Sequence, residues 1–174
     1  MKKVMITGIG MVTAVGNGKD ATWESVKAGK PGITRITKFD PSKCTCQVAA
    51  EVKGFDEYAI GGGLIDRKEA RHMANFSKYA VATAVEAGKD AGFARKGVEG
   101  DTGFKPDMDR VATVIGNGIG GLEVTGESFR TLFEKGPDRL SPLAIPELIA
   151  NEGAGNISIA LGAKGASHLI MSSA

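Results

Sequence analysis

Cysteine and aromatic residues are scarce in this sequence, and both shortages narrow what the protein can be. Its 174 residues include two cysteines, Cys44 and Cys46, and aromatic side chains make up 6% of the chain. Two cysteines this close in sequence would face the same side of a strand, a geometry that does not suit a disulfide. A Cys-x-Cys pair without further ligands is also a poor metal site. The sequence therefore predicts ordinary reduced thiols and no bound metal.

A large excess of one charge and long apolar runs are absent as well. The net charge is +2, so no overall electrostatic field attracts nucleic acid or a membrane surface. No stretch approaches the roughly 20 apolar residues that a membrane-spanning helix needs. Residues 1–6 (MKKVMI) imitate the start of a signal peptide, but Thr7, Gly8 and Gly10 interrupt the apolar run early. We expect neither nucleic acid nor a membrane among the partners.

Glycine is plentiful. The chain has 25 glycines, with a hydrophobic content of 42% and a charged content of 24% that are ordinary for a globular protein. A chain of this length folds as one domain that buries roughly 70% of its unfolded surface. The excess of glycine indicates tight turns and closely packed backbone.

Segments with strand and helix patterns alternate along the chain. Strands are predicted at residues 3–7, 47–52, 111–115 and 167–172, and helices at 19–28, 67–91, 123–133 and from Pro146 to about residue 161. Gly29 and Gly92 are natural helix ends. Residues 61–63 and 98–107 are predicted to be loops. This alternation favours an α/β fold.

Two glycine clusters invite a nucleotide-binding interpretation. Gly8 and Gly10 would begin a dinucleotide fingerprint, but Thr13 stands where its third glycine is needed and Gly16 comes too late. The simpler interpretation is a turn that lets the chain leave the sheet. Residues 116–121 (GNGIGG) lack the Gly-Lys-Ser/Thr ending of a phosphate loop. Their glycines would let the backbone approach a ligand or a neighbouring chain, or would serve a purely structural loop.

Four segments together resemble the β-ketoacyl synthases, the condensing enzymes of fatty-acid synthesis. They are residues 4–16, residues 116–121, the Ser-Pro-x-x-x-Pro segment at 141–146 and residues 162–174. The resemblance implies a thiolase-like fold, in which two similar halves pack as a five-layer sandwich, each with a mixed sheet flanked by helices. Residues 1–174 would be the first half. It also implies decarboxylative condensation of an acyl thioester with malonyl-[acyl-carrier-protein], in the cytoplasm and without a cofactor.

The same resemblance assigns candidate residues to an acyl pocket. Ile119, flanked by Gly118 and Gly120, matches the isoleucine that gates the pocket in the family. Ala144 and Ile145 match the segment that crosses the dimer interface to line the partner's pocket. The family often has a bulky aromatic residue at the position of Ala144, so a deeper pocket is one implication. A simple helix-entry turn is the alternative for this segment.

A basic helix start resembles the family's docking patch for the acidic acyl carrier protein. Arg67, Lys68 and Arg71 carry the resemblance, and His72 stands where a lysine is usual. Cations at a helix N-terminus oppose the helix dipole, which slightly favours a binding role over a plain solvated face. His168 suggests a catalytic interpretation, but the resemblance places the family's two catalytic histidines beyond the end of these 174 residues, so a structural or interfacial role is expected.

The last strand resembles the one that delivers the nucleophilic cysteine in these enzymes. Ala174 occupies the matching position, and we expect this polypeptide alone to lack the active site. Three explanations stay open: a fragment cut at the nucleophile, a fragment of a cysteine-to-alanine variant, or a natural synthase-like protein without the nucleophile.

The resemblance also defines the expected partners. They are an acyl carrier protein, acyl and malonyl thioesters, and a second copy of the chain in a homodimer or larger assembly. Assembly is expected because the helices after Glu123 and Pro146 and the strand from Ser167 should present apolar surface. The alternative function is a non-catalytic interaction module of the chain-length-factor type, and the pathway is either fatty-acid or polyketide synthesis.

Overall fold

The computed structural model describes residues 3–93 and 105–172. Most of the predicted loop at 98–107 and Ala174, at the predicted nucleophile position, lie outside these ranges. The helices are α1 (Lys19–Lys27), α2 (Arg67–Ala70), α3 (Asn75–Asp90), α4 (Leu122–Lys135), α5 (Ala144–Leu148) and α6 (Glu152–Leu161). The strands are β1 (Val12–Thr13), β2 (Gly16–Asn17), β3 (Thr34–Arg35), β4 (Val48–Ala49), β5 (Thr113–Gly116) and β6 (Ser167–Ile170).

The strands form three small sheets of both kinds. β1 pairs with β2 and β3 pairs with β4, both antiparallel, whereas β5 and β6 are parallel, with Val114 opposite His168. A parallel pair needs a crossover connection, which α4, α5 and α6 provide. The mixture of helices with parallel and antiparallel strands confirms the predicted α/β class, and the last two predicted strands are present.

The core lies around α3. Val81, Ala82 and Val85 are buried on one side of this helix, together with Ile65 from the preceding loop. α3 packs against α6, where small residues such as Gly153 let the two helices approach closely. Removing these aliphatic groups from water supplies most of the stabilisation of such a core, at about 25 cal/mol per Å² of apolar surface.

The first predicted strand is wrong. Residues 3–7 form no strand, and the side chains of Val4 and Ile6 are 95% and 85% exposed. A strand needs a partner for its backbone N–H and C=O groups, and no segment in the described part of the chain pairs with it. The chain instead becomes fixed a few residues later, where it lies on α3.

Residues 8–11 are held on α3 by two backbone hydrogen bonds to carboxylates one helical turn apart. Ile9 N donates to Asp90 Oδ2 over 3.0 Å, and Met11 N donates to Glu86 Oε2 over 2.8 Å. Two residues of extended chain advance about 6.6 Å, close to the roughly 6.0 Å between helical positions i and i+4. The two spacings match, so the segment and the helix meet in register.

The residue before each of these donors, Gly8 or Gly10, is a glycine because the backbones touch. A Cβ on Gly8 would lie 2.1 Å from Ala87 O, and one on Gly10 would lie 1.9 Å from Thr83 O. Both distances are far below van der Waals contact. The glycine pair therefore serves contact with a helix, where the sequence predicted a turn that leaves the sheet.

Two long predicted helices are each broken in the structure. Residues 67–91 divide into α2, which Asp66 caps at its N-terminus, and α3, at whose start Glu123 of α4 accepts a 2.7 Å hydrogen bond from Asn75 N. The helix predicted from Pro146 divides into α5 and α6 around residues 149–151. Gly29 and Gly92 end their helices with φ of 64° and 85°, as predicted.

Smaller differences between the sequence patterns and the structure concern α1, β4 and the loop at residues 61–63. Trp23 and Val26 of α1 are more than half exposed, while Thr22 and Ser25 are buried. The strand predicted at 47–52 shrinks to Val48–Ala49. The glycine loop at 61–63 follows a π-helical turn, Glu57–Gly61. Over residues 3–93 and 105–172, no helix has the length and apolar character needed to cross a membrane.

Candidate functional site

The glycine-rich loop after β5 is shaped by the side chain of Asn117. Its Oδ1 accepts hydrogen bonds from Ile119 N and Gly120 N, each over 3.2 Å, and its Nδ2 donates to Ala150 O over 3.3 Å. The amide thus closes the loop on itself and ties it to the junction between α5 and α6. Sequence analysis did not single out Asn117, although asparagine commonly organises turns in this way.

Gly120 is the point where the loop touches the α5–α6 junction. Its φ is +88°, and a Cβ there would lie 2.5 Å from Leu148 O. Gly121 N donates to the same carbonyl over 2.9 Å. Gly118 has open space around it. The structure therefore places the glycine-rich loop, which carries the predicted gate Ile119, against the helix that carries Ala144 and Ile145.

The predicted pocket side chains differ in exposure. Ile119 and Ile145 are 65% and 66% exposed, whereas Ala144 is buried. Ala144 N donates to Ser141 O over 3.1 Å, which forms the turn that enters α5. The two isoleucines thus offer apolar surface on adjacent segments, whereas Ala144 is covered by the described part of the chain. Their role as pocket residues stays a prediction.

The predicted docking residues do not all share one surface. Arg67, Ala70 and Arg71 line an open cleft of about 570 Å³, as their i, i+3, i+4 spacing on α2 requires. Lys68 is not among the cleft residues, and its backbone N–H donates to the capping carboxylate of Asp66 over 2.7 Å. His72 lines a separate, largely apolar groove beside α6.

Lys78 of α3 joins Arg67 and Arg71 in the cleft, together with the carboxylates Asp56 and Glu57. Lys78 was not recognised from the sequence. It lies eleven residues after Arg67 and seven after Arg71, a spacing that would place all three cations on one face of a continuous helix. On a continuous helix they would be spread over about three turns, so only the break between α2 and α3 could gather them around one cleft.

A half-buried acid lies at the start of α6. Glu152 Oε1 accepts a 2.8 Å hydrogen bond from Asn156 Nδ2, which also donates to Ser77 Oγ over 3.0 Å. The second oxygen, Oε2, is buried and has no hydrogen-bond partner among residues 3–93 and 105–172. Burial raises the pKa of Glu152 to about 7, and the nearby carboxylate of Glu147 adds to the effect. Sequence patterns gave no sign of this group.

The remaining candidates carry little chemistry in the structure. Cys44 and Cys46 are exposed free thiols, and His168 lies exposed on β6. Among residues 3–93 and 105–172, no group of three or more His, Cys, Asp or Glu side chains could hold a metal ion. The prediction for Ala174 is untested because that residue lies outside these ranges.

Solved structures place the fold among the ketosynthases, which makes it thiolase-like. The ishigamide ketosynthase/chain length factor superposes with a TM-score of 0.78 at 22% identity, over 95% of this chain and 39% of that one. A beta-ketoacyl synthase from Burkholderia phymatum STM815 superposes with a TM-score of 0.71 at 28% identity, over 98% of this chain and 39% of that one. The predicted fold class is confirmed.

Sequence comparison then gives the family. The beta-ketoacyl synthase N-terminal domain matches residues 1–174, and the chain belongs to this family. The 3-oxoacyl-[acyl-carrier-protein] synthase 2 of Staphylococcus aureus strain N315 is 40% identical over 164 residues, which cover 94% of this chain and 37% of that protein. The Synechocystis protein of the same name is 38% identical over 164 residues, covering 94% and 36%. The chain thus spans little more than a third of the length of these relatives.

Proposed function

We propose that this chain is the N-terminal part of a 3-oxoacyl-[acyl-carrier-protein] synthase, which condenses an acyl thioester with malonyl-[acyl-carrier-protein] in fatty-acid elongation. The observation that carries the proposal is the 40% identity, over 94% of the chain, to a relative of that name. The 37% share of the relative's length fits a chain that forms only part of the enzyme. We propose that residues 1–174 belong to the first of two similar halves, with the rest of the length including the other half.

The gate of the acyl pocket is proposed at the glycine-rich loop, beside α5, whose Ala144 and Ile145 are proposed to line the pocket of a partner subunit. The hydrogen bond from Gly121 N to Leu148 O supports this arrangement, because it fixes the loop that carries Ile119 against the helix that carries Ile145. Both isoleucines are exposed and apolar, which suits an acyl chain. Gly118 and Gly120 give the backbone of the gate its shape.

A chimera tests the proposed reaction. This chain would replace the matched segment of the S. aureus relative, with the relative's own residue kept at the position of Ala174 and its own sequence continuing from there. We expect malonyl-dependent formation of a 3-oxoacyl product from carrier-bound substrates. A folded chimera that forms no product, under conditions where the intact relative does, would contradict the proposal. It would favour a non-catalytic module of the chain-length-factor type.

The docking surface for the acyl carrier protein is proposed at Arg67, Lys68 and Arg71. In the chimera, Lys68→Glu combined with Arg71→Glu should weaken recognition of the acidic carrier, mainly by slowing association and more strongly at low salt. Each exposed charge pair contributes only about 0.2–1 kcal/mol, so the double change is needed for a clear effect. The measurement is the rate with carrier-bound acyl substrates across a salt series.

Small substrates provide the control for this double variant. Acyl-CoA or short pantetheine thioesters do not need a protein docking surface, and the docking residues belong to a different segment from Ile119. Activity with these substrates should survive. An equal loss with small and carrier-bound substrates would mean that α2 has a structural role and that the docking assignment is wrong.

A second copy of the chain is the proposed partner for α4. No residue of this helix is buried, and Leu122, Phe129 and Phe133 are 62%, 56% and 81% exposed. The rings of Phe129 and Phe133 stack, with centroids 6.2 Å apart, so the apolar surface is continuous. Surfaces of this kind drive association.

Light scattering on the chain tests this assembly. We expect a dimer or larger species that shifts toward monomer with Phe133→Ser, because the substitution removes the most exposed ring. Glu134→Ser is the matched control on the next residue and should leave the assembly intact. A wild-type chain that stays monomeric at high concentration would rule out association through this helix.

A further inference from the structure

The cleft at α2 is lined by three cations that pair with none of the described residues. Arg67, Arg71 and Lys78 form no side-chain hydrogen bond and no ion pair within residues 3–93 and 105–172. Two carboxylates, Asp56 and Glu57, line the same cleft without pairing to them. Because the described part of the chain forms no ion pair with these cations, the cleft can attract an external anion.

The spacing of the two arginines suits one kind of anion. Arg67 is the first residue of α2 and Arg71 directly follows its last, still with helical backbone angles, so the two lie one turn apart, about 6 Å along the helix axis. Acidic side chains at positions i and i+4 of a partner helix have the same separation, and each carboxylate can accept two parallel hydrogen bonds from a guanidinium. Lys78 comes from a different helix, so it adds a third contact that lies off this line.

We propose that Lys78 is a docking residue for the acidic helix of an acyl carrier protein, and that Asp56 and Glu57 set the register of that helix. This inference rests on the proposed function. Two contacts on a line leave the partner free to rotate about that line, and a third contact away from it fixes the orientation. The carboxylates repel a partner whose acidic residues fall on their side of the cleft, which disfavours misplaced complexes.

The binding experiment uses the 174-residue chain and the acyl carrier protein of S. aureus, with association rates measured at several salt concentrations. Lys78→Glu should slow association about three- to tenfold at low salt, and less as salt rises. Lys78→Gln should have a smaller effect in the same direction. Lys89→Glu, near the end of the same helix and outside the cleft, makes the same charge change and should alter the rate much less.

Removing the carboxylates tests the second part of the proposal. Asp56→Asn combined with Glu57→Gln should speed association with the carrier about two- to fivefold at low salt, because a repulsive element has been neutralised. A slower rate would show instead that these carboxylates contact basic groups of the carrier, and would overturn their role in setting the register. Circular dichroism of each variant confirms that rates are compared between folded proteins.

The outcomes separate this inference from the proposed function. If the wild-type chain shows no salt-dependent association with the carrier, the proposed docking function fails and the inference fails with it. If the wild type binds, and Lys68→Glu with Arg71→Glu weakens binding while Lys78→Glu behaves like Lys89→Glu, only the role of Lys78 is overturned. A loss specific to Lys78→Glu and Lys78→Gln supports the proposal.

Discussion

Replacing Gly10 with alanine is expected to lower the free energy of unfolding by about 3 kcal/mol or more, in the range of the severe single substitutions. The new Cβ would lie 1.9 Å from the backbone oxygen of Thr83. A helix backbone cannot retreat by moving one side chain, so residues 8–11 must leave α3 and lose both hydrogen bonds to Glu86 and Asp90. Urea denaturation measures the loss of stability. Hydrogen exchange at the amides of Ile9 and Met11 should show that this segment has detached.

Gly126→Ala is the matched control for this substitution. Gly126 lies within α4, and a Cβ there meets nothing within 4 Å. Alanine is the better helix former, so this variant should be more stable by roughly 0.5–1 kcal/mol. Similar losses at both glycines would mean that the contact between Gly10 and Thr83 does not govern the stability of the N-terminal segment.

Glu152→Gln is expected to stabilise the chain in alkaline solution and to have little effect in acid. Burial raises the pKa of this carboxyl from 4.5 to about 7, so the folded state binds the proton more tightly than the unfolded state does. The resulting stabilisation is fully present below pH 4.5 and is lost as the pH rises through about 7. Glutamine stays neutral throughout, so the variant avoids that loss.

Denaturant unfolding of wild type and variant at pH 4.5 and pH 8 measures this effect. Because Glu152 is only partly buried, we expect a gain of about 1–2 kcal/mol at pH 8 once solvent screening is taken into account. Glu134→Gln changes an exposed carboxylate and should alter stability by no more than about 0.5 kcal/mol at either pH. A Glu152→Gln variant that is equally or less stable than wild type at pH 8 would show that the carboxylate is well solvated.

Local sequence signals were sufficient to predict those elements whose ends are determined by residues close to them in the sequence. Gly29 terminates α1 just beyond its last residue, and the apolar patterns of α4 and β5 indicate a helix and a strand at those positions. Signals of that kind could not give the breaks after α2 and α5. The first depends on Glu123, 48 residues away from the Asn75 amide that it caps, and the second involves Asn117, 33 residues before Ala150.

The candidate site likewise has parts that could be identified from the sequence and parts that only the structure shows. The family resemblance identified the two segments of the predicted acyl pocket, and the structure adds their contact through Gly120 and Leu148. The resemblance also identified a basic helix start. In the structure Arg67 and Arg71 line the cleft while His72 lines a separate groove, because α2 is short. Glu152 could not be recognised from the sequence, because Ser77 and Glu123 in its surroundings come from helices that are distant in the chain. Lys78 was not recognised because the break between α2 and α3, which brings it to the cleft, was not predicted.

The contact between residues 8–11 and α3 joins two structures whose repeat lengths are nearly but not fully equal. Each step of two residues along the extended chain exceeds one step of four residues along the helix by roughly 0.6 Å. The mismatch grows with every further step, so such a contact stays in phase only over a short segment. A one-residue insertion between Gly8 and Met11 would turn a side chain toward the helix, because neighbouring residues of extended chain face opposite ways. Evolution can therefore lengthen this part of the chain on either side of the four residues far more easily than within them.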